Sequence, residues 1–388
     1  MTSHPALPPA IRPPNPKRGW SHSLGGLGNA IVVPPSENGF VQKAGVLWSN
    51  GAYCPSGALW RNARALTVQP DMPDNTEKLP GTWLWGGVLW RHFGHFITES
   101  LGRLWALDHV KNPVDGVLFI PKRPNNAEGM TGYQTDLFRH FGLDGAQIHQ
   151  AARPTQVERL IVPGQGFGLG DIASGTRYFR DYVQRRFGQD VAPDGPERLY
   201  ISRSKLGPTR GTVVGETRLE SYLEREGYEI FHPQAHDITT QIARYKAARQ
   251  VIATEGSALH LFAMVARPGQ NLAVVIRRRS GATGLIEKHV ASFTGQTPTM
   301  AEAILREWMP ENQVRKKFAR GELDFVQLQQ ILHAGGFVGM DRPWVSMEPF
   351  DAQLELAETL GQREDLGRAV LVEPMQKPAV RKRSAAGR

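Results

Sequence analysis

The amino-acid sequence predicts an α/β protein with a parallel sheet in its second half. Three features point there. Between residues 198 and 276, short apolar runs alternate with stretches of helical period, in the order strand, helix, strand, helix, strand, helix, strand. That order suits parallel strands with helices on both faces. Gly or Pro closes the runs where a helix must stop. The composition, 40% hydrophobic and 21% charged over 388 residues, is globular and long enough for two domains.

The elements of this half follow in order. Arg198 to Ser202 is a strand. Glu216 to Glu226 is a helix stopped by Gly227, and Tyr228 to Phe231 a strand. Ile238 to Ala248 is a helix with Asp237 placed as its N-cap. Gln250 to Ala253 is a strand, Ser257 to Val265 a helix that ends before Arg267-Pro268-Gly269, and Asn271 to Ile276 a strand. Two helices are expected beyond, Met300 to Trp308 and Leu323 to His333, with one weak helix after residue 345.

The first half is less regular. Residues 1–20 hold six prolines and read as an extended lead. Residues 21–80 are rich in Gly, Pro and Asn, which suits short strands and turns. Arg91 to Val110 has no Pro, and Phe93, Ile97, Leu101, Leu104 and Leu107 share one face of a helix. Val117 to Ile120 and Leu160 to Val162 are strands; Tyr133 to Phe141 and Thr176 to Phe187 are helices. Gly164 to Gly170 (GQGFGLG) reads as a flexible loop: it lies outside the alternation, and no acidic residue follows at the ribose distance of a dinucleotide fingerprint. The Gly- and Pro-rich stretch 188–197 marks a boundary. The expected units are therefore 1–20, 21–190, 196–300, a helical extension 301–345 and a basic tail 346–388.

Charge and cysteine narrow the function classes. The net charge is +9, but residues 1–20 contribute +3 and residues 377–388 contribute +5, leaving +1 for the body. A specific nucleic-acid binder carries its basic face on the folded part, so none is expected. The ends can touch an anionic membrane surface. A single cysteine, Cys54, leaves no disulfide framework, and no apolar run is long enough for a transmembrane helix. These features point to a cytoplasmic protein, peripheral to the inner membrane if its basic tail engages it.

Two strand ends carry chemistry, and ligands sit at the carboxyl ends of parallel strands. The first is Tyr200-Ile201-Ser202-Arg203-Ser204-Lys205 with Arg210 beyond; its cations suit a phosphate or pyrophosphate. The second is Val251-Ile252-Ala253-Thr254-Glu255-Gly256-Ser257, where a strand runs into small residues and a helix start. Each alone is also an ordinary surface feature. Together, in adjacent units, they favour a nucleoside-diphosphate ligand. In the first half, His95, Glu99 and Arg103 fall at i, i+4 and i+8, with His92 one turn before. This places imidazole, carboxylate and guanidinium in line. Glu99 beside His95 suits a general base, and Arg103 suits a partner for Glu99 or a substrate contact. A solvated face with simple pairing explains the same spacing. A metal site on His92, His95 and Glu99 lacks zinc-protease spacing.

These segments together resemble glycosyltransferase family 61. His92-Phe93-Gly94-His95-Phe96-Ile97-Thr98-Glu99-Ser100-Leu101 resembles the family's His-rich, acid-containing helix motif. Tyr200-Ile201-Ser202-Arg203, Arg210 with Gly215-Glu216, Gln241-Ile242, and Val251 to Leu259 are similar to its later motifs in the same order. In the family, His usually stands at the place of Glu255, Asn at that of Gly215, and Asn at that of His260. The resemblance implies a GT-B-like fold, two Rossmann-like domains facing across a cleft, with 21–190 on the acceptor side and 196–300 binding the nucleotide-sugar. It implies inverting transfer from a nucleotide-sugar, taken as a UDP-sugar, to a glycan or lipid-linked acceptor in capsule or surface-polysaccharide synthesis. Arg203, Lys205, Arg210, Glu255, Gly256 and Ser257 would then line the donor site, with Glu99 and His95 catalytic and His92 and Arg103 beside the substrate. No cofactor is required, although Glu255 beside a diphosphate needs an Arg or a divalent metal to offset its charge. The alternative is a non-catalytic nucleotide- or glycan-binding protein that keeps the fold.

Overall fold

The computed structural model describes residues 12–124 and 129–372. Residues 1–11 of the Pro-rich lead and the cations Lys377 to Arg388 lie outside them. The protein is α/β. Among the described residues, no helix is long and apolar enough to cross a membrane.

The second half forms the expected parallel sheet. Five strands lie in the spatial order Glu229–Phe231, Arg198–Ile201, Gln250–Thr254, Asn271–Val275, Thr299–Ala301, and every pairing is parallel. Chain order reverses between Arg198–Ile201 and Gln250–Thr254. Such a switch point opens a crevice at the carboxyl ends of its two strands. Helices Glu216–Arg225, Ile238–Ala247 and Ala258–Val265 connect the strands. Asp237 caps its helix as expected, accepting from the Thr240 N–H at 2.7 Å.

The first half holds a mixed six-stranded sheet in the order Gly45–Leu47, Leu24–Val33, Thr155–Pro163, Glu77–Leu89, Gly116–Pro121, Ile148–Gln150. Leu24–Val33 runs antiparallel to both neighbours, and the remaining pairs are parallel. One continuous apolar core joins the two halves, running from Leu84 and Phe96 through Tyr182 to Val251, Leu261 and Val274.

Three expectations are corrected. Met300 to Trp308 is not a helix: Thr299–Ala301 completes the parallel sheet, and Ile304–Pro310 joins a four-stranded sheet with Val213–Val214, Arg320–Leu323 and Ala369–Leu371. Its Ala, Glu, Leu and Arg favour a helix locally. Pairing with strands on both sides of Ile304–Pro310 overrides that preference, and Glu322 accepts from Arg306 and from the Trp308 indole across the strands. The 301–345 extension is thus part strand, and helix Phe325–Ala334 is the helix foreseen at 323–333.

Second, Arg91 to Val110 is not one helix. An α-turn Phe93–His95 runs into a π-turn Phe96–Ser100, then a 3₁₀ turn Leu104–Asp108. Ser100 Oγ accepts from Trp90 N–H and donates to the Val88 carbonyl, tying this coil to the preceding strand. Gly102 lies against the Phe167 carbonyl, where a Cβ has no room. A straight helix cannot satisfy both contacts, and π-turns of this kind gather at functional sites.

Third, the GQGFGLG stretch is pinned rather than flexible. Gln165 accepts from the Trp60 N–H at 2.9 Å and donates to its carbonyl at 3.0 Å, and Gly166 N–H donates to the Gly102 carbonyl. Its glycines permit close backbone approach.

Candidate active site

The crevice at the switch point is lined by the two strand ends singled out above. Arg203 follows the Arg198–Ile201 strand. Its Nε and Nη2 donate to the Gly211 carbonyl at 3.1 and 2.9 Å. Nη1 points toward Gly256, where a Cβ would stand 2.5 Å away. A Cβ at 256 would displace this guanidinium from its place. Glu216 holds the loop from behind. It accepts from Arg203 N–H at 2.8 Å, Tyr200 Oη at 3.0 Å, Thr254 Oγ1 at 2.8 Å and Thr212 Oγ1. Gly215 before it has φ of +75°, a conformation that Gly and Asn tolerate. This accounts for Gly where the resembling family carries Asn.

Glu255 is fully buried, and Oε1 accepts from Arg278 Nε at 2.8 Å. Its Oε2 has no hydrogen-bond partner among the described residues. Arg277 Nε donates to the Glu255 carbonyl at 3.0 Å and Nη1 to the Ala319 carbonyl at 2.9 Å. The Arg that had to offset Glu255 is therefore Arg278. Lys205 turns away: its charge bears on His232, which lies near Glu220. Arg210 is exposed, and its charge bears on His92.

On the opposite wall, His95 Nδ1 lies 2.8 Å from Glu99 Oε2. Arg61 reaches the same carboxylate with Nη2 at 2.7 Å and Nε at 2.9 Å, a bidentate fork. The Glu99 side chain is 0% exposed and that of His95 31%. Burial alone would raise the Glu99 carboxyl, but hydrogen bonds from His95 and Arg61 more than offset it and hold it below the ordinary range. Arg61 Nη2 is also 3.4 Å from His95 Nδ1. One nitrogen cannot donate to Glu99 and accept from Arg61 together, and the shorter contact decides: Nδ1–H donates to Glu99. The Nε2 lone pair is left free to accept a proton.

Arg103 does not reach Glu99. The π-turn rotates it inward, where it is buried and donates to the Pro163 and Ala58 carbonyls. The partner expected in Arg103 is Arg61 instead. His92 sits at the mouth, its imidazole pulled down to about 4 by partial burial and then by His95, Arg210, Lys317 and Arg203. Among the described residues no three His, Cys, Asp or Glu side chains are gathered to hold a metal ion.

The two walls meet. A Cβ on Gly94 would stand 2.6 Å from Ser257 Oγ, so Gly94 brings the His95 turn against the start of helix Ala258–Val265. Within that helix His260 pairs with His289, Nδ1 to Nδ1 at 2.8 Å. Burial first, then His95 and His92, pulls His260 down to about 4; burial and His260 lower His289 well below its ordinary value. Both stay neutral in the fold, while in the unfolded chain each takes a proton near 6.5. The unfolded state therefore binds more protons as pH falls from 6.5 toward 4. Stability is expected to be full above that window and to fall within it, by up to about 3 kcal/mol for His260, with His289 acting in the same direction. Urea midpoints measured across the window test this, and an unchanged slope in His260→Asn overturns it.

Sequence reasoning missed Arg61, Arg278, Lys317 and His289. Arg278 was findable, because Arg277-Arg278-Arg279 leaves a third parallel strand end, Asn271–Val275. Arg61 had no local signal: it sits on the two-residue strand Trp60–Arg61, 38 positions before Glu99.

Residues 93–273 match the family model described as Glycosyltransferase 61. No curated protein matches the chain. The matched segment contains the His95–Glu99 pair, the Arg203 loop and the Glu255-Gly256-Ser257 turn, and it is this segment, somewhat under half of the chain, that is similar to glycosyltransferase family 61.

Proposed function

We propose that the chain is an inverting glycosyltransferase that moves a sugar from a nucleotide-sugar, taken as a UDP-sugar, to a hydroxyl of a glycan or lipid-linked acceptor. The observation that supports it most is the meeting of the two walls, with the His95–Glu99 pair on one and the Arg203, Gly256 and Ser257 strand ends on the other. Under this reading the donor diphosphate lies in the switch-point crevice. Arg203 and the N–H groups at Ser257 meet the charge that grows on the leaving phosphate. His95 Nε2 takes the acceptor proton as the acceptor oxygen attacks the anomeric carbon. The bond from that carbon to the phosphate oxygen breaks, and the nucleoside diphosphate leaves with the electron pair. Glu99, buried and clamped by Arg61, holds the His95 ring and stabilises the imidazolium. The base role expected of Glu99 thus passes to His95, the member of the pair that solvent reaches.

The two sheets are read as the halves of a GT-B-like arrangement, and the protein as one acting in surface-polysaccharide synthesis at the inner face of the membrane. Arg278 pairs with Glu255 at 2.8 Å, which supports the catalytic reading over the non-catalytic alternative.

Thermal stabilisation of the protein by UDP, GDP, ADP, CMP and S-adenosylmethionine tests the donor class. One nucleoside diphosphate is expected to raise the melting temperature selectively, with a stabilisation of about 2.7 kcal/mol at a hundred times Kd. Arg203→Ala is expected to weaken that binding about tenfold or more. No shift with any nucleotide, or equal binding by Arg203→Ala, would sink the donor assignment.

A further inference from the structure

We propose that the mouth of the cleft holds a second anion site, built to take a phosphate or diphosphate on the acceptor. This rests on the glycosyltransferase reading above. It deepens that reading by naming the acceptor's chemistry.

The cations of the cleft fall into two tiers. In the inner tier, Arg203 faces Gly256, and Arg278 neutralises Glu255. A donor diphosphate carries one charge per phosphate, and the inner tier with the helix start at Ser257 suffices to meet it. The outer tier is Arg123, Arg210 and Lys317, all exposed. They come from both walls. Arg123 follows the strand Gly116–Pro121 of the first sheet, and its neighbour Lys122 is fixed by the Gly39 and Phe40 carbonyls and Gln42. Arg210 lies in the loop after Arg203. Lys317 lies in the turn Lys316–Phe318, whose Lys317 carbonyl accepts from Gly211 N–H at 3.0 Å.

Geometry brings these three to one rim: the Gly211 N–H on the Lys317 carbonyl ties the Arg210 loop to the Lys317 turn, and Lys122, next to Arg123, lies 5.3 Å over the Trp90 ring, which packs against His95 at 4.6 Å. Partial burial, and then Arg210, Arg315 and Arg123, push the Lys317 ammonium below its ordinary value. Arg210 and Lys317 both bear on His92. The nearby carboxylates are already committed: Glu99 to Arg61 and His95, Glu255 to Arg278, and Glu307 to Lys316 at 2.8 Å. Among the described residues, none of Arg123, Arg210 and Lys317 forms an ion pair. Like charges gathered from two walls repel one another unless an anion joins them, and a cleft of one sign concentrates such an anion. Three cations call for more charge than one carboxylate brings. Two guanidinium forks and an ammonium suit phosphate oxygens. The site lies beside His92, one turn from His95, so the bound anion would set the acceptor hydroxyl near the proton acceptor.

The test uses the full chain saturated with radiolabelled UDP. Inorganic pyrophosphate and farnesyl diphosphate are titrated in by calorimetry, with UDP retention followed in parallel. Pyrophosphate is expected to bind without displacing UDP. The double variant Arg123→Ala/Lys317→Ala is expected to weaken it about tenfold or more while UDP affinity stays within about twofold. Tighter binding of farnesyl diphosphate than of pyrophosphate would assign the anion to a lipid carrier, and equal binding to a soluble sugar phosphate. The proposal fails if pyrophosphate gives no heat once UDP is bound. It also fails if the double variant loses UDP and pyrophosphate affinity together, because the outer cations then serve the donor. Pyrophosphate binding through Arg123 and Lys317 in a protein that binds no nucleotide would overturn the donor reading and leave the anion site standing.

Discussion

Replacing His95 with Gln is expected to lower kcat about 10²–10⁴-fold while leaving UDP binding and thermal stability close to wild type. The size follows from the loss of the proposed proton acceptor, and the selectivity follows from where His95 sits. Its ring projects from a short α-turn into the cleft and carries little of the core; the burial in this segment belongs to Phe96, Ile97, Leu101 and Leu104. Glu99→Gln separates the two roles. A Gln at 99 leaves the half-buried Arg61 fork without its carboxylate and lets the His95 ring take either tautomer. It should therefore lower kcat, since the ring loses the partner that orients it and stabilises the charge it gains. If Glu99 were itself the base, Glu99→Gln would abolish transfer and His95→Gln would keep most of it. Single-turnover rates of the two variants, with UDP affinity measured alongside, decide between these outcomes.

Much of this site was legible in the sequence because its parts are local. His95 and Glu99 lie four positions apart, and that spacing survives the change from α- to π-turn, so the pair forms as the helical reading required. The i+8 step does not survive it. One residue added to a turn rotates everything after it, and Arg103 ends in the core against two carbonyls. The parallel sheet was legible for the same reason: each strand and helix carries its own period and its own stop. Met300 to Trp308 was not, because its strand state depends on partners at 273–275, 320–323 and 369–371 that no local window contains. Arg61 was hidden by the same kind of distance. The signal that remained unused was chemical: an arginine run at the end of a third parallel strand obeys the same rule that drew attention to Arg203.

Arg278→Ala is expected to be more damaging than its partly exposed position suggests, and Glu255→Gln should reverse much of the damage. Glu255 is fully buried, and one of its oxygens already has no partner among the described residues. Removing Arg278 leaves a buried carboxylate with neither oxygen paired, a change that costs about 3–5 kcal/mol when the charge has no relief. The same unscreened charge would stand beside the proposed diphosphate and oppose it, so nucleotide stabilisation should disappear in the single variant. In Arg278→Ala/Glu255→Gln the buried charge is gone. A neutral amide still needs hydrogen bonds, so the double variant should recover most but not all of the stability and part of the nucleotide affinity. The coupling between the two positions is then large and of opposite sign to the single losses. Urea unfolding of wild type, both single variants and the double gives that coupling directly. Strictly additive losses would mean that Arg278 acts through its other contact, the Lys316 carbonyl at 3.3 Å, and that Glu255 tolerates burial by other means.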